Sequence, residues 1–149
     1  MRMVGLDVGT RRIGVAISDA SGTLARPVNT LTIGALDSRS VDLVVQEIER
    51  LGMEDDPVDG IVVGLPRRLD GSANDMTRKV DTFAAHLRTR LTIPVVLQDE
   101  RLTSREAESR LAVREKDWRA RKAKIDSMAA AIILQDYLDS RPSMFTRDA

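Results

Sequence analysis

Residues 5–19 read GLDVGTRRIGVAISD. An acid, Asp7, stands inside an otherwise apolar run, and Gly9 and Thr10 follow closely. A carboxylate on a buried strand is costly unless something compensates it, so its presence needs a chemical reason. Locally the stretch predicts a β-hairpin. Met3–Val8 and Ile13–Ser18 are short β-rich apolar runs, and Gly9-Thr10-Arg11-Arg12 between them is a turn. Leu24–Ile33 alternates loosely and contains Pro27, which predicts a third strand with an edge position or a bulge.

Further along, Val41, Val44, Val45, Ile48 and Leu51 recur at helical spacing and predict a helix over Ser38–Leu51, with Gly52 to end it. Val58–Leu65 is an apolar run closed by Gly64 and Pro66, a strand buried on both faces. Arg67–Ser72 is a loop. Asn74–Leu91 carries Met76, Val80, Phe83, Ala84, Leu87 and Leu91 on one helical stripe, and Ile93–Leu97 predicts a fifth strand. TSRE at Thr103–Glu106 is a capping box opening a short helix. A charged linker and an apolar helix, Ile125–Leu138, follow. The order β-β-β-α-β-α-β-α-α predicts an α/β fold: a mixed five-stranded sheet, made of a three-strand meander plus two crossover strands, with helices on both faces. The expected organisation is one domain over residues 1–139 and a frayed, flexible tail over 140–149.

Composition limits the chemistry. The chain has 149 residues, 42% hydrophobic and 31% charged, with one Trp, one Tyr and two Phe. The core is therefore aliphatic, and reading of bases by aromatic stacking is disfavoured. The absence of cysteine excludes disulfides, thiolate nucleophiles and Cys-based zinc sites, and the single His86 excludes a His-rich metal site. No apolar stretch approaches the roughly 20 residues that span a bilayer, and Asp7 interrupts any secretory core segment. The expectation is a cytoplasmic protein with no membrane partner. The formal net charge of zero hides an asymmetry. Residues 36–60 carry Asp37, Asp42, Glu47, Glu49, Glu54, Asp55, Asp56 and Asp59 against Arg39 and Arg50. Residues 110–124 carry Arg110, Arg114, Lys116, Arg119, Arg121, Lys122 and Lys124 against Glu115 and Asp117. The basic segment is either a solvated face or a patch that meets a polyanion.

Three acids stand at element ends. In open α/β sheets ligands collect at the carboxyl ends of strands. Asp7 lies at the end of the first strand, and Glu100 directly follows the fifth. Were those strands neighbours, the two carboxylates would face each other. Asp126 opens the last helix in KIDSMAAAIIL and can pack beside them. Clustered carboxylates repel unless a cation joins them, and an oxygen-only donor set selects Mg²⁺ or Mn²⁺. Such ions activate water and steady the leaving oxygen of a phosphodiester. Each acid also has a plainer reading. Asp126 is a good helix N-cap, Glu100 can pair with Arg101 or Arg105, and Asp99 is as acidic as Glu100. His86 reads as a helix-surface residue.

GLDVGTRRIGVAISD, IVVGLPRRLDGSANDMTRKVDTFAAHL, DERLTSREAE and KIDSMAAAIILQDYL together resemble, in that order, the four blocks of the YqgF/RuvX family. The resemblance covers Met3 to about Leu138. It implies a ribonuclease H-like fold similar to that of the junction resolvase RuvC. It also implies activity as a nuclease on the precursor of 16S rRNA at its 5′ end, in ribosome biogenesis, or as a Holliday junction resolvase. Carried onto this chain, it implies that Asp7, Glu100 and Asp126 are the catalytic, metal-binding acids. Gly9 and Thr10 would shape the turn beside Asp7, and Thr10, Arg11, Arg67, Arg68 and Arg101 would lie near the nucleic acid. The basic segment, with Arg119, Arg121 and Lys122, is the further candidate for phosphate contacts. RuvC-like enzymes carry a fourth acid about one turn beyond the third; Ala129 and Ala130 stand there in this chain.

An RNA precursor is the favoured partner, with branched DNA the alternative. A resolvase would require a C2 dimer; a processing nuclease can act as a monomer or a homodimer. Two other classes compete. GLDVGT also looks like the first phosphate loop of the actin, Hsp70 and sugar-kinase superfamily, but this chain is short for two lobes and has no second such loop. A non-catalytic nucleic-acid-binding adaptor would bind without divalent-dependent cleavage.

Overall fold

The computed structural model describes residues 1–54, 56–100 and 118–141, with 118–123 described by their backbone alone. Its elements are β1 (Met3–Val8), β2 (Arg12–Ser18), β3 (Ala25–Thr32), α1 (Ser38–Glu54), β4 (Gly60–Pro66), α2 (Asp75–Arg90), β5 (Val95–Glu100) and α3 (Trp118–Ser140). The sheet has five strands in the order β3-β2-β1-β4-β5. β1–β2 and β2–β3 are antiparallel; β1–β4 and β4–β5 are parallel. The meander and the two crossovers are those that the sequence predicts. β3 is the edge strand, and its pairing shifts register between Val15 and Ala16, opposite Asn29 and Pro27. The proline thus sits where a ladder donor is not needed.

The two faces of the sheet are dressed differently. Val4, Leu6, Val8, Ile13, Val15, Ile17, Ile61, Val63 and Leu65 point to one face and form the main core with α1 and α2. From the helices come Val41, Val44, Ile48 and Leu51, and Val80, Phe83 and Leu87. Burying each large aliphatic side chain contributes about 1.5–3 kcal/mol, so this layer dominates stability. Met3, Ala16 and Val62 point the other way, onto Ala130, Ala131, Ile133, Leu134 and Leu138 of α3. α2 starts as its sequence dictates: Asn74 caps it, with its side chain taking the Thr77 N–H at 2.9 Å and the Thr77 hydroxyl completing a capping box.

Three expectations are corrected. The fifth strand runs over Val95–Glu100, not Ile93–Leu97, because pairing with β4 continues to Pro66↔Glu100 through polar residues that hydropathy does not mark. β1 and β5 are not neighbours, since β4 lies between them. The last helix starts at Trp118 rather than Ile125, so its first turns take up the end of the predicted linker. Residues 118–124 contain no Gly, Pro or β-branched residue, and Arg, Lys and Ala are strong helix formers. The short helix predicted at Thr103–Glu106 and most of the predicted tail lie outside the described residues. No helix among the described residues is long and apolar enough to cross a membrane.

Candidate active site

Side chains alternate along a strand, so the face that each acid uses follows from its neighbours. On β1, Met3, Gly5 and Asp7 share the face covered by α3; on β5 the matching positions are Val96, Gln98 and Glu100. Asp7 and Glu100 therefore emerge on the same face, at the carboxyl ends of strands that flank β4. Asp99 points to the opposite face. Its carboxylate takes the Arg67 Nε–H at 2.7 Å. The alternation thus separates the two adjacent acids that the sequence leaves equivalent.

Asp126 reaches this end of the sheet because glycine leaves room for α3. Asp7 pairs directly with Gly14 on β2. A Cβ at Gly14 would stand 1.9 Å from the Asp126 carbonyl oxygen and 2.8 Å from the Ser127 nitrogen. One turn on, a Cβ at Gly5 would stand 2.8 Å from the Ala130 carbonyl oxygen. Backbone contacts this close require residues without side chains. The far half of α3 is tied to the start of β3: the Gln135 amide oxygen takes the Ala25 N–H at 2.9 Å, and its nitrogen donates to the Thr23 carbonyl at 2.9 Å. Asp126 lies in the third turn of α3, so the N-cap reading is excluded. Ala129 and Ala130 are fully buried; α3 lies flush on the sheet where RuvC-like enzymes place a fourth acid.

The electrostatics follow from this convergence. Burial, then the charge of Glu100, then that of Asp126 push the Asp7 carboxyl up from 3.8 to about 7. Asp126 has a local counter-charge, because Arg12 Nε donates to its Oδ2 at 2.8 Å. Among the described residues, no group of three His, Cys, Asp or Glu side chains is closed around a metal position; Arg12 holds one of the acids. In donor chemistry the three acids fit a hard divalent cation, since they are oxygen-only and raise one another's cost of ionisation.

The basic candidates separate into groups. Thr10 and Arg11 are exposed on the β1–β2 turn, which the Gly9 N–H closes onto the Arg12 carbonyl at 2.9 Å. Arg67 latches the β4–α2 loop, binding Asp99 and donating to the Gly71 carbonyl at 3.2 Å. Its guanidinium is thus committed within the protein. Arg68 is exposed, and its backbone closes the same loop through Ser72 and Gly71, the latter at φ +89 where glycine is favoured. Arg101 and the side chains of Arg119, Arg121 and Lys122 lie outside the described residues. His86 is exposed on α2, as read from the sequence. Sequence reasoning missed Arg12, whose partner lies 114 positions away. It also missed Arg78, Lys79 and Thr82, which line a cavity with Thr10 and Arg11; no local pattern marks them.

The sheet order and the placement of the acids define a ribonuclease H-like protein of the resolvase type. Solved structures bear out the fold. RuvC of Thermus thermophilus, in complex with a Holliday junction substrate, is similar at TM-score 0.51 and 15% identity, over 95% of each chain. Fowlpox virus resolvase with Holliday junction DNA is similar at TM-score 0.55 and 13% identity, over 94% of this chain and 98% of that one. The chain belongs to the RuvX family, whose model, described as Holliday junction resolvase, matches residues 1–140. Curated relatives carry the name "Putative pre-16S rRNA nuclease". The one from Thermoanaerobacter pseudethanolicus is 42% identical over 95% of this chain and 98% of its own length. The one from Bacillus subtilis is 40% identical over 94% and 99%.

Proposed function

We propose that this protein is a divalent-metal-dependent nuclease that hydrolyses phosphodiester bonds in maturing the 5′ end of 16S rRNA. The carrying observation is the convergence of Asp7, Glu100 and Asp126 on one face of the sheet, close enough that two of them raise the pKa of the third. The names of relatives near 40% identity support the RNA substrate. We assign the activity to residues 1–139 and to the cytoplasm.

In this reading Asp7, Glu100 and Asp126 hold Mg²⁺ or Mn²⁺. The ion, when bound, supplies Lewis-acid activation of water and stabilises the leaving oxygen. The protein fixes the donors. Asp7 sits on a strand paired on both sides, Glu100 ends a strand paired to β4, and Asp126 rides on a helix seated against Gly14 and Gly5. Arg12 neutralises part of the carboxylate charge before the cation arrives. Thr10, Arg11 and Arg68, with Arg101, Arg119, Arg121 and Lys122, meet the phosphate backbone, which suits a chain poor in aromatics.

The test is a cleavage assay offering precursor 16S rRNA and a four-way DNA junction side by side, with Mg²⁺, Mn²⁺ or chelator. Metal-dependent cutting of the RNA by the parent, lost in Asp7→Asn, supports the proposal. Cutting of the junction alone would favour the resolvase reading, which the family description supports. Binding without cleavage would favour an adaptor.

A further inference from the structure

A cavity of about 490 Å³ opens on the side of the β1–β2 turn away from α3. Its walls come from three separate connections. The turn gives Thr10 and Arg11, the segment between β3 and α1 gives Leu36, and the first turns of α2 give Arg78, Lys79 and Thr82. No acid lines it. Among the described residues Arg11 and Lys79 have no ion-pair partner, and Arg78 pairs only with Asp75, at 3.1 Å between side chains that are 70% and 94% exposed. Three cations converging on one concavity repel one another unless an anion joins them. Cations and hydroxyls on one wall with an aliphatic side chain on another suit a phosphate attached to an apolar ring. The volume lies within the range of sites that take one small-molecule-sized group.

We propose that this cavity seats one unpaired nucleotide of the substrate strand, with its phosphate against Arg11, Arg78 and Lys79 and its sugar or base against Leu36. The inference rests on the nuclease reading and narrows its substrate class. Thr10 and Arg11 follow Asp7 by three and four positions on the same turn. A strand whose scissile phosphate lies at the carboxylates crosses that turn and delivers a neighbouring nucleotide into the cavity. A continuous duplex holds each base in its stack and cannot fill a concavity with one nucleotide unless that base is extruded, at a cost of a few kcal/mol. The cavity therefore selects strands with unpaired nucleotides beside the cut.

The test measures binding, separately from turnover. The full chain is titrated in chelator against a labelled oligouridylate and a blunt RNA hairpin of equal length, at several salt concentrations. Arg78→Ala/Lys79→Ala is compared with the parent; both side chains are exposed, and a melting curve verifies folding. The expected result is about a tenfold weaker affinity for the single strand and a salt slope shallower by about 1.4, for two lost phosphate contacts. Hairpin binding should change much less. An equal loss on both probes, or none on the single strand, overturns the proposal. The parent's Mg²⁺-dependent cleavage of the single strand is scored in parallel. Its absence beside the expected binding pattern defeats the nuclease reading while the cavity stands as a nucleotide site.

Discussion

Arg12 holds Asp126: its Nε donates to the carboxylate Oδ2 at 2.8 Å across the β2–α3 contact. The pair places a cation from the chain itself against one of the three acids assigned to the metal. With side-chain exposures of 42% and 21%, the ion pair contributes about 0.2–1 kcal/mol.

A cation at the site and Arg12 therefore compete for Asp126. Arg12→Gln should lower the melting temperature of the chelated protein slightly and enlarge the rise produced by Mg²⁺, as linkage requires when binding tightens. Asp126→Ala tests the same contact from the other side. Loss of an N-cap would cost about 0.5–2 kcal/mol, but inside α3 alanine is the better helix former, which offsets the lost ion pair. The chelated alanine variant should melt near the parent and respond little to Mg²⁺. A cap-sized destabilisation would overturn this placement of Asp126.

Gly14 is where β2 and α3 touch. Gly14→Ala puts a methyl carbon 1.9 Å from the Asp126 carbonyl oxygen, so α3 must move. Overpacking of this kind costs about 1–3 kcal/mol. Because the shift displaces Asp126 itself, cleavage should fall further than stability predicts. Gly52→Ala is the contrast: its nearest outside atom would be 3.9 Å away, at the end of α1, and removing a helical glycine stabilises by about 0.5–1 kcal/mol. Chemical denaturation with parallel activity assays separates the two; equal behaviour at both positions would contradict the close contact.

The pH dependence follows from Asp7. Its carboxyl titrates near 3.8 unfolded and near 7 folded, so between these values the folded state holds a proton that the unfolded state releases. Stability is therefore lost as pH rises through that window, by up to about 4 kcal/mol. Asp19 and Glu47 act in the opposite sense. Backbone N–H groups of Thr23 and Leu24 lower Asp19; at Glu47, burial raises the pKa but hydrogen bonds from Arg50 and Asn29 outweigh it. Their stabilisation is present above the ordinary carboxylate range and disappears in acid. The chelated parent should thus lose melting temperature from about pH 5 to pH 8, and Asp7→Asn should flatten that decline. Mg²⁺ should stabilise the parent more at the alkaline end, where the carboxylate is free of its proton. An equally steep decline in the asparagine variant would place the titrating group elsewhere.

The neighbouring acids of β5 should behave unequally. Glu100→Gln removes a charge from the Asp7 face and should abolish metal-dependent cleavage while raising stability at neutral pH. Asp99→Asn removes the partner of Arg67 on the opposite face; it should loosen the β4–α2 loop, seen as faster amide exchange at Arg68 and Gly71, and leave cleavage largely intact. The reverse pattern of activity would exchange their roles.

Local chemistry made much of this protein legible in one dimension. Helical spacing of aliphatic residues, the Asn74 cap and the apolar runs of β1, β2 and β4 are set by neighbours within a few positions, and they determine the elements and their order. An acid inside the first apolar run was enough to mark a site, because burying a carboxylate demands compensation. Contacts at long separation decided the rest. Hydropathy falls at Gln98, so only pairing with β4 extends β5 to Glu100, and only packing of α3 says which of Asp99 and Glu100 faces Asp7. The glycines that admit α3 look like ordinary strand residues until Asp126 and Ala130 lie against them. Arg12 meets Asp126, and Arg11 meets Arg78 and Lys79 around one cavity, across separations that no periodicity spans. Periodicity reports which residues avoid water; the charges that share a site are set by chain crossings, which exist only once the sheet has closed on its helices.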